Sequence, residues 1–176
     1  MGVEIVGWTH LPFGRLDALS LEDLIVRAGR EALADAGVTG QDVDGLWLGN
    51  LNGGFVRDIF ASSLGLNCDD GLRWKPAVRL ENACASGAAA LYGACDAIEA
   101  GRARIALVIG AEKMTAVSGD EVTRILGNCA YPGENGGSGA NYGQRHANLP
   151  ARRLSSRSQN SCPDFGQSLP LSSQTS

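Results

Sequence analysis

The residue with the clearest capacity for chemistry is Cys84, in the string PAVRLENACASG at residues 76–87. A short apolar stretch runs into the cysteine, and a helix rich in glycine and alanine begins directly after it. A thiol at such a junction sits in the partial positive field of a helix N-terminus, which favours thiolate over thiol and makes a nucleophile of it. The opposing reading is packing, because cysteine is among the most buried residue types. The small residues Ala85, Ser86 and Gly87 favour the nucleophile, since they leave room around the sulfur.

The other reactive side chains form no comparable pattern. Cys68, Cys84, Cys95, Cys129 and Cys162 show no CxxC and no Cys/His spacing, so no zinc site and no complete disulfide framework is indicated. A reducing, cytoplasmic setting is the simplest expectation. Cys95 shares an apolar helical side with Leu91 and Ile98 and reads as core; Cys68, Cys129 and Cys162 lie in loop or tail contexts. The histidines are His10, in THLPFGR, and His146, in QRHANLP, and both read as turn or surface residues. Lys113, in GAEKMT, has the type needed for a Schiff base, but its place after an apolar run reads as a strand-end residue. The glycine-rich LNGG and NGGSGANYG match neither GxGxxG nor GxxxxGK[ST] and read as loops, not phosphate sites.

Alternating elements must position Cys84. Residues 3–8 are apolar and β-prone and predict a buried first strand. SLED at residues 20–23 opens an amphipathic helix in a capping-box pattern, with Leu21, Leu24, Ile25, Ala28 and Ala32 on one side and Gly37 as its stop. GLWLGN at residues 45–50 reads as a strand, residues 58–64 as a short helix and residues 77–80 as the strand before the cysteine. The helix after Cys84 carries no charge before Asp96, so it is expected to be covered on both faces. Gly101 ends it, and residues 105–111 (IALVIGA) form a continuous apolar strand of the kind found inside a parallel sheet. The alternation predicts an α/β fold, βαβαβαβ, with a mixed, mostly parallel sheet covered by helices.

From about residue 115 the periodicity weakens, and residues 127–143 read as loop. Residues 151–176 are rich in Ser and Gln and poor in aliphatics, a composition that predicts a disordered tail. The expected division is a domain at 1–150 and a tail at 151–176. With 176 residues, 44% hydrophobic and 19% charged residues and a net charge of -4, the chain has the make-up of a globular protein. That charge pattern points away from nucleic acid. The longest apolar run is far below the roughly 20 residues needed to span a bilayer, and no basic and apolar leader opens the chain.

The block from PAVRLENACASG through AAALYGACDAIEAGRARIALVIGAEKMT resembles the thiolase superfamily, most closely the sterol-carrier-protein and archaeal type. The resemblance implies one half of the layered thiolase fold and an acyltransferase in which Cys84 carries the acyl group as a thioester. Acyl-CoA would be substrate and partner, with no separate cofactor and no metal, and the chain would work as a homo-oligomer or in a thiolase-type complex. Family members supply a Gly-His-Pro histidine and a Cys-x-Gly cysteine from a C-terminal half, and this sequence has neither motif. The base and oxyanion-hole residues therefore have no counterpart here. The resemblance covers residues 3 to about 150. It implies an incomplete N-terminal domain followed by a tail of the kind a frameshift leaves, with little or no turnover alone. A ketoacyl synthase or hydroxymethylglutaryl-CoA synthase relative places a cysteine similarly, though EKMT favours thiolase. A non-catalytic, complex-dependent subunit is the reading from outside the enzymes.

Overall fold

The structure, a computed structural model, describes residues 2–127. Its first helix, α1, runs from Leu21 to Ala36. Ser20 caps it: the Ser20 side chain accepts from the Asp23 N–H, and the Asp23 carboxylate accepts from the Ser20 N–H. The chain leaves the helix at Gly37 in the left-handed region (φ 66), where a side chain would be strained.

Three strands follow, β1 (Gly45–Gly49), β2 (Ala77–Leu80) and β3 (Ala106–Gly110), all parallel in the order β2-β1-β3. Trp47 pairs with Val78 on one side and Val108 on the other. A helix, α2 (Ser86–Glu99), carries the chain from β2 across to β3. β1 is central and almost wholly buried, which is why its sequence is apolar throughout instead of alternating.

Residues of β1 divide between two layers. Leu46 and Leu48 join Leu21, Ile25 and Leu33 of α1, with Val43, Ala61, Leu72, Leu107 and Ile109, in one dry core. Trp47 and Gly49 face α2: the Gly93 backbone lies against the Trp47 ring, and the start of α2 lies on Gly49. The result is helix, sheet, helix in three layers.

Four expectations change. Residues 3–8 belong to no sheet; Ile5, Val6 and Trp8 are exposed. This segment is tied to α1 by the Trp8 N–H donating to Asp35 Oδ2 (2.9 Å) and Thr9 Oγ1 donating to Glu31 Oε2 (3.0 Å). A cavity of about 630 Å³ separates it from β3. Its β-prone composition is intact, but no strand among the described residues lies beside it. The sheet of the described residues is thus fully parallel and three-stranded.

The short helix expected at 58–64 is a 3-10 helix at Ala61–Cys68. Ser62, Ser63, Gly65 and Asn67 are weak α-formers, and Phe60 offers no side-chain cap. An unforeseen helix, α3 (Gly119–Gly127), starts where Ser118 Oγ accepts from the Glu121 N–H (3.3 Å). Finally, α2 is covered on one side only: Ala90, Ala94 and Cys95 are buried, while Gly87, Ala88 and Tyr92 are exposed. Among the described residues no helix is long and apolar enough to cross a membrane.

Candidate active site

Cys84 lies at the carboxyl end of the sheet, between the last residue of β2 and the first turn of α2. Its side chain is exposed. The turn that carries it is tight. Ala83 adopts φ 46, a conformation that costs an alanine free energy and persists only where its surroundings impose it. Those surroundings are visible. The Ala83 N–H donates to Glu81 Oε1, and the Asn82 N–H donates to Ser86 Oγ (2.9 Å). Ser86 Oγ in turn donates to the Ala83 carbonyl (2.7 Å). The Ala85 N–H closes the turn on the Asn82 carbonyl (2.8 Å).

Electrostatics at this point come from α2. Its N-cap is Ala85, which makes no side-chain capping bond, and its first turn contains no acidic residue. Neither a cap nor a carboxylate of that turn offsets the partial positive charge that a helix presents at its start. The exposed Cys84 thiol lies one residue before the cap, at that end of the helix.

Cys68 is the contrast. It is buried in the core, its Sγ directed at the Ile25 carbonyl (3.7 Å), and burial pushes its pKa up to about 11. That thiol stays protonated at neutral pH and packs. Cys95 is buried on the inner side of α2, as its helical spacing implied. Cys129, Cys162 and His146 lie outside the described residues. His10 is in the N-terminal loop with its ring edge-on to Phe13, centroids 4.6 Å apart. Lys113 is buried, and its ammonium donates to the Leu16 carbonyl (2.6 Å), a tie between distant segments instead of a reactive amine.

One polar cluster escaped sequence reasoning. Glu112, just after β3, accepts hydrogen bonds from the Leu51 N–H (2.9 Å), the Asn52 N–H (3.1 Å) and Asn50 Nδ2 (3.2 Å). Burial pushes the Glu112 carboxyl above its usual range against the lowering effect of the Asn52, Leu51 and Lys113 amides. Asn52 Nδ2 donates to the Asp58 carbonyl and Asn52 Oδ1 accepts from the Val56 N–H, so the LNGG segment is a knitted loop, as its motif reading anticipated. The one available signal was a carboxylate directly after an apolar strand. This loop, with Arg79, Glu81 and Ile125, lines a cavity of about 590 Å³. Crevices beyond the carboxyl ends of parallel strands are where α/β folds commonly bind ligands. No group of His, Cys, Asp or Glu among the described residues could hold a metal ion.

An exposed thiol on a braced strand-to-helix turn is an arrangement able to attack a carbonyl and hold the acyl group. The chain is similar to several known proteins. An acetyl-CoA acetyltransferase of Methanothermobacter thermautotrophicus is 40% identical over 116 residues, covering 65% of this chain and 30% of that protein. Sterol carrier protein 2 of Gallus gallus is 32% identical over 109 residues, covering 62% of this chain and 19% of its own length. Beta-ketoacyl-[acyl-carrier-protein] synthase III of Rhodospirillum rubrum is 38% identical over 97 residues, covering 54% of this chain and 29% of that protein. Among solved structures, an acetyl-CoA acetyltransferase from Syntrophomonas wolfei superposes with a TM-score of 0.51 at 26% identity, covering 59% of this chain and 27% of that one. The chain spans under a third of the length of these relatives. The family described as "Thiolase, N-terminal domain" matches residues 3–148, and this chain belongs to it.

Proposed function

We propose that the chain provides the nucleophile-bearing half of a thiolase-type acyl-CoA acyltransferase, with Cys84 as the residue that carries the acyl group. The observation behind this reading is the exposed Cys84 thiol on a strained turn at the start of α2, set against the buried, protonated Cys68. In the first half-reaction the Cys84 thiolate adds to the thioester carbonyl, the C–S bond to coenzyme A breaks, and coenzyme A leaves as a thiolate that takes up a proton. The enzyme retains an acyl thioester. Condensation with the α-carbanion of a second acyl-CoA, or thiolytic cleavage in reverse, requires a base and an oxyanion hole.

The sequence contains neither the Gly-His-Pro nor the Cys-x-Gly motif, and the step assigned to it is the first half-reaction. Under this reading 1–150 is the thiolase N-terminal domain and 151–176 a separate tail. The partners are acyl-CoA and a second thiolase-type chain, in the cytoplasm. Incubation with acetyl-CoA followed by intact mass measurement tests it. An acetyl adduct on the wild type that Cys84→Ala removes is expected. A wild type that gains no adduct, or an adduct that survives Cys84→Ala, overturns the reading.

A ketoacyl synthase relative is the second reading, favoured by the match to a synthase III. Acylation from acyl-carrier protein faster than from acyl-CoA would select it.

A further inference from the structure

The Ser86 hydroxyl bonds both ahead of and across the turn that carries Cys84. It occupies the first position of α2 and is 5% exposed. Its oxygen makes two bonds in opposite senses: it accepts from the Asn82 N–H ahead of the cysteine and donates to the Ala83 carbonyl. The side chain therefore clamps the Asn82 amide and the Ala83 carbonyl onto the helix that follows. Ala83 between them is at φ 46, and a non-glycine residue leaves that region once its hydrogen bonds are lost. Glu81 holds the Ala83 N–H from outside, but its side chain is exposed. Water competes more for that exposed bond than for the two part-buried bonds of Ser86.

We propose that Ser86 is the positioning residue of the Cys84 turn: its hydroxyl, bonded to Asn82 and Ala83, keeps the thiol exposed at the start of α2. This rests on the Cys84 reading above for its bearing on acyl transfer. Removing the hydroxyl leaves the part-buried Asn82 amide without its partner and the Ala83 carbonyl with only the longer bond from the Ser86 N–H (3.2 Å), and the cheapest relief is for Ala83 to relax out of its strained conformation. The Cys84 thiol is then no longer held in place at the start of α2.

The test uses the full chain as wild type, Ser86→Ala and Ser86→Thr. Alkylation of Cys84 by iodoacetamide at neutral pH is followed by peptide mass spectrometry, and exchange of the Asn82 amide by nuclear magnetic resonance. Cys95 is buried and reports global opening in the same samples. Ser86→Ala is expected to speed Asn82 exchange about tenfold and to slow Cys84 alkylation about threefold or more, with Cys95 still protected. Ser86→Thr, which keeps the hydroxyl, restores both values. Unchanged Asn82 exchange and unchanged Cys84 alkylation in Ser86→Ala overturn the proposal, as does loss of Cys95 protection in step with Cys84. Should wild-type Cys84 react no faster folded than in urea, the nucleophile reading fails, while the Asn82 amide still decides whether Ser86 holds the turn.

Discussion

Gly49 of β1 and Ser86 of α2 meet backbone to backbone: a Cβ on Gly49 would stand 2.6 Å from the Ser86 carbonyl oxygen. The start of the helix therefore rests directly on the central strand, with no side chain between them. Cys84 is held over the carboxyl end of the sheet because nothing larger than hydrogen occupies position 49.

Gly49→Ala is accordingly expected to push α2 outward, at a cost of about 1–3 kcal/mol for overpacking against unyielding backbone. Its register partner on β3, Gly110, has open space where a Cβ would go. Gly110→Ala is therefore the control, the same change of residue at the paired position of the neighbouring strand. Urea unfolding should show a clear loss for the first and little for the second. Cys84 alkylation should slow only in Gly49→Ala. Equal behaviour of the two variants would remove the claim that Gly49 seats the helix.

Cys68 makes stability fall at alkaline pH. Its thiol titrates near 9.0 when solvated and near 11 in the folded protein, because burial disfavours the thiolate. Below pH 9 both states hold the proton and Cys68 adds no slope. Between the two values the unfolded chain loses its proton first, so stability drops as pH rises, by about 3 kcal/mol at most. Cys68→Ala should flatten that part of the profile, measured as urea midpoints from pH 8 to 11. A profile with the same slope in both proteins would place the effect elsewhere.

The parts of this architecture that were legible from sequence are those whose partners lie nearby in the chain. Ser20, Asp23 and Gly37 mark α1 by themselves, and the apolar runs of β1 and β3 announce strands buried on both faces. The Cys84 turn was legible because strand, cysteine and small-residue helix are contiguous. Residues 3–8 misled, since a β-prone segment becomes a strand only beside another strand, and that neighbour is set by tertiary structure. Helix α3 carried a readable signal, Ser118 followed three residues later by Glu121, hidden among the surrounding glycines. Ser86 and Glu112 were not legible as parts of the site. Their roles arise from bonds to Asn82, Ala83, Leu51 and Asn52, which no periodicity encodes.

Glu112 is expected to hold the loop at residues 50–58 together. Glu112→Ala strands the Leu51 and Asn52 amides, each in a part-buried setting, and takes one of two partners from Asn50 Nδ2, which keeps the Ala111 carbonyl (2.9 Å). Leaving such donors without partners costs about 1–3 kcal/mol. Amide exchange of Leu51 and Asn52 should rise sharply, with the amides of α1 little changed. Uniform acceleration across the protein would mean that Glu112 supports the whole fold and not this loop.

Lys113 ties the N-terminal loop to the end of the sheet through the Leu16 carbonyl, 97 residues away in sequence. Arg15, the residue before that anchor, has an exposed side chain, so trypsin samples the loop directly at the Arg15–Leu16 bond. In Lys113→Met the apolar stem remains but the ammonium is gone, and the Leu16 carbonyl loses the bond that holds its peptide against the protein. Cleavage after Arg15 should then quicken several-fold relative to wild type, while Lys113→Arg, which keeps a donor, stays closer to wild type. Proteolysis of a loop follows its opening equilibrium when closing outpaces cleavage, so the ratio of rates reads the strength of the tie. Equal rates in wild type and Lys113→Met would show that the loop is held by its apolar contacts and that the buried ammonium contributes nothing to it.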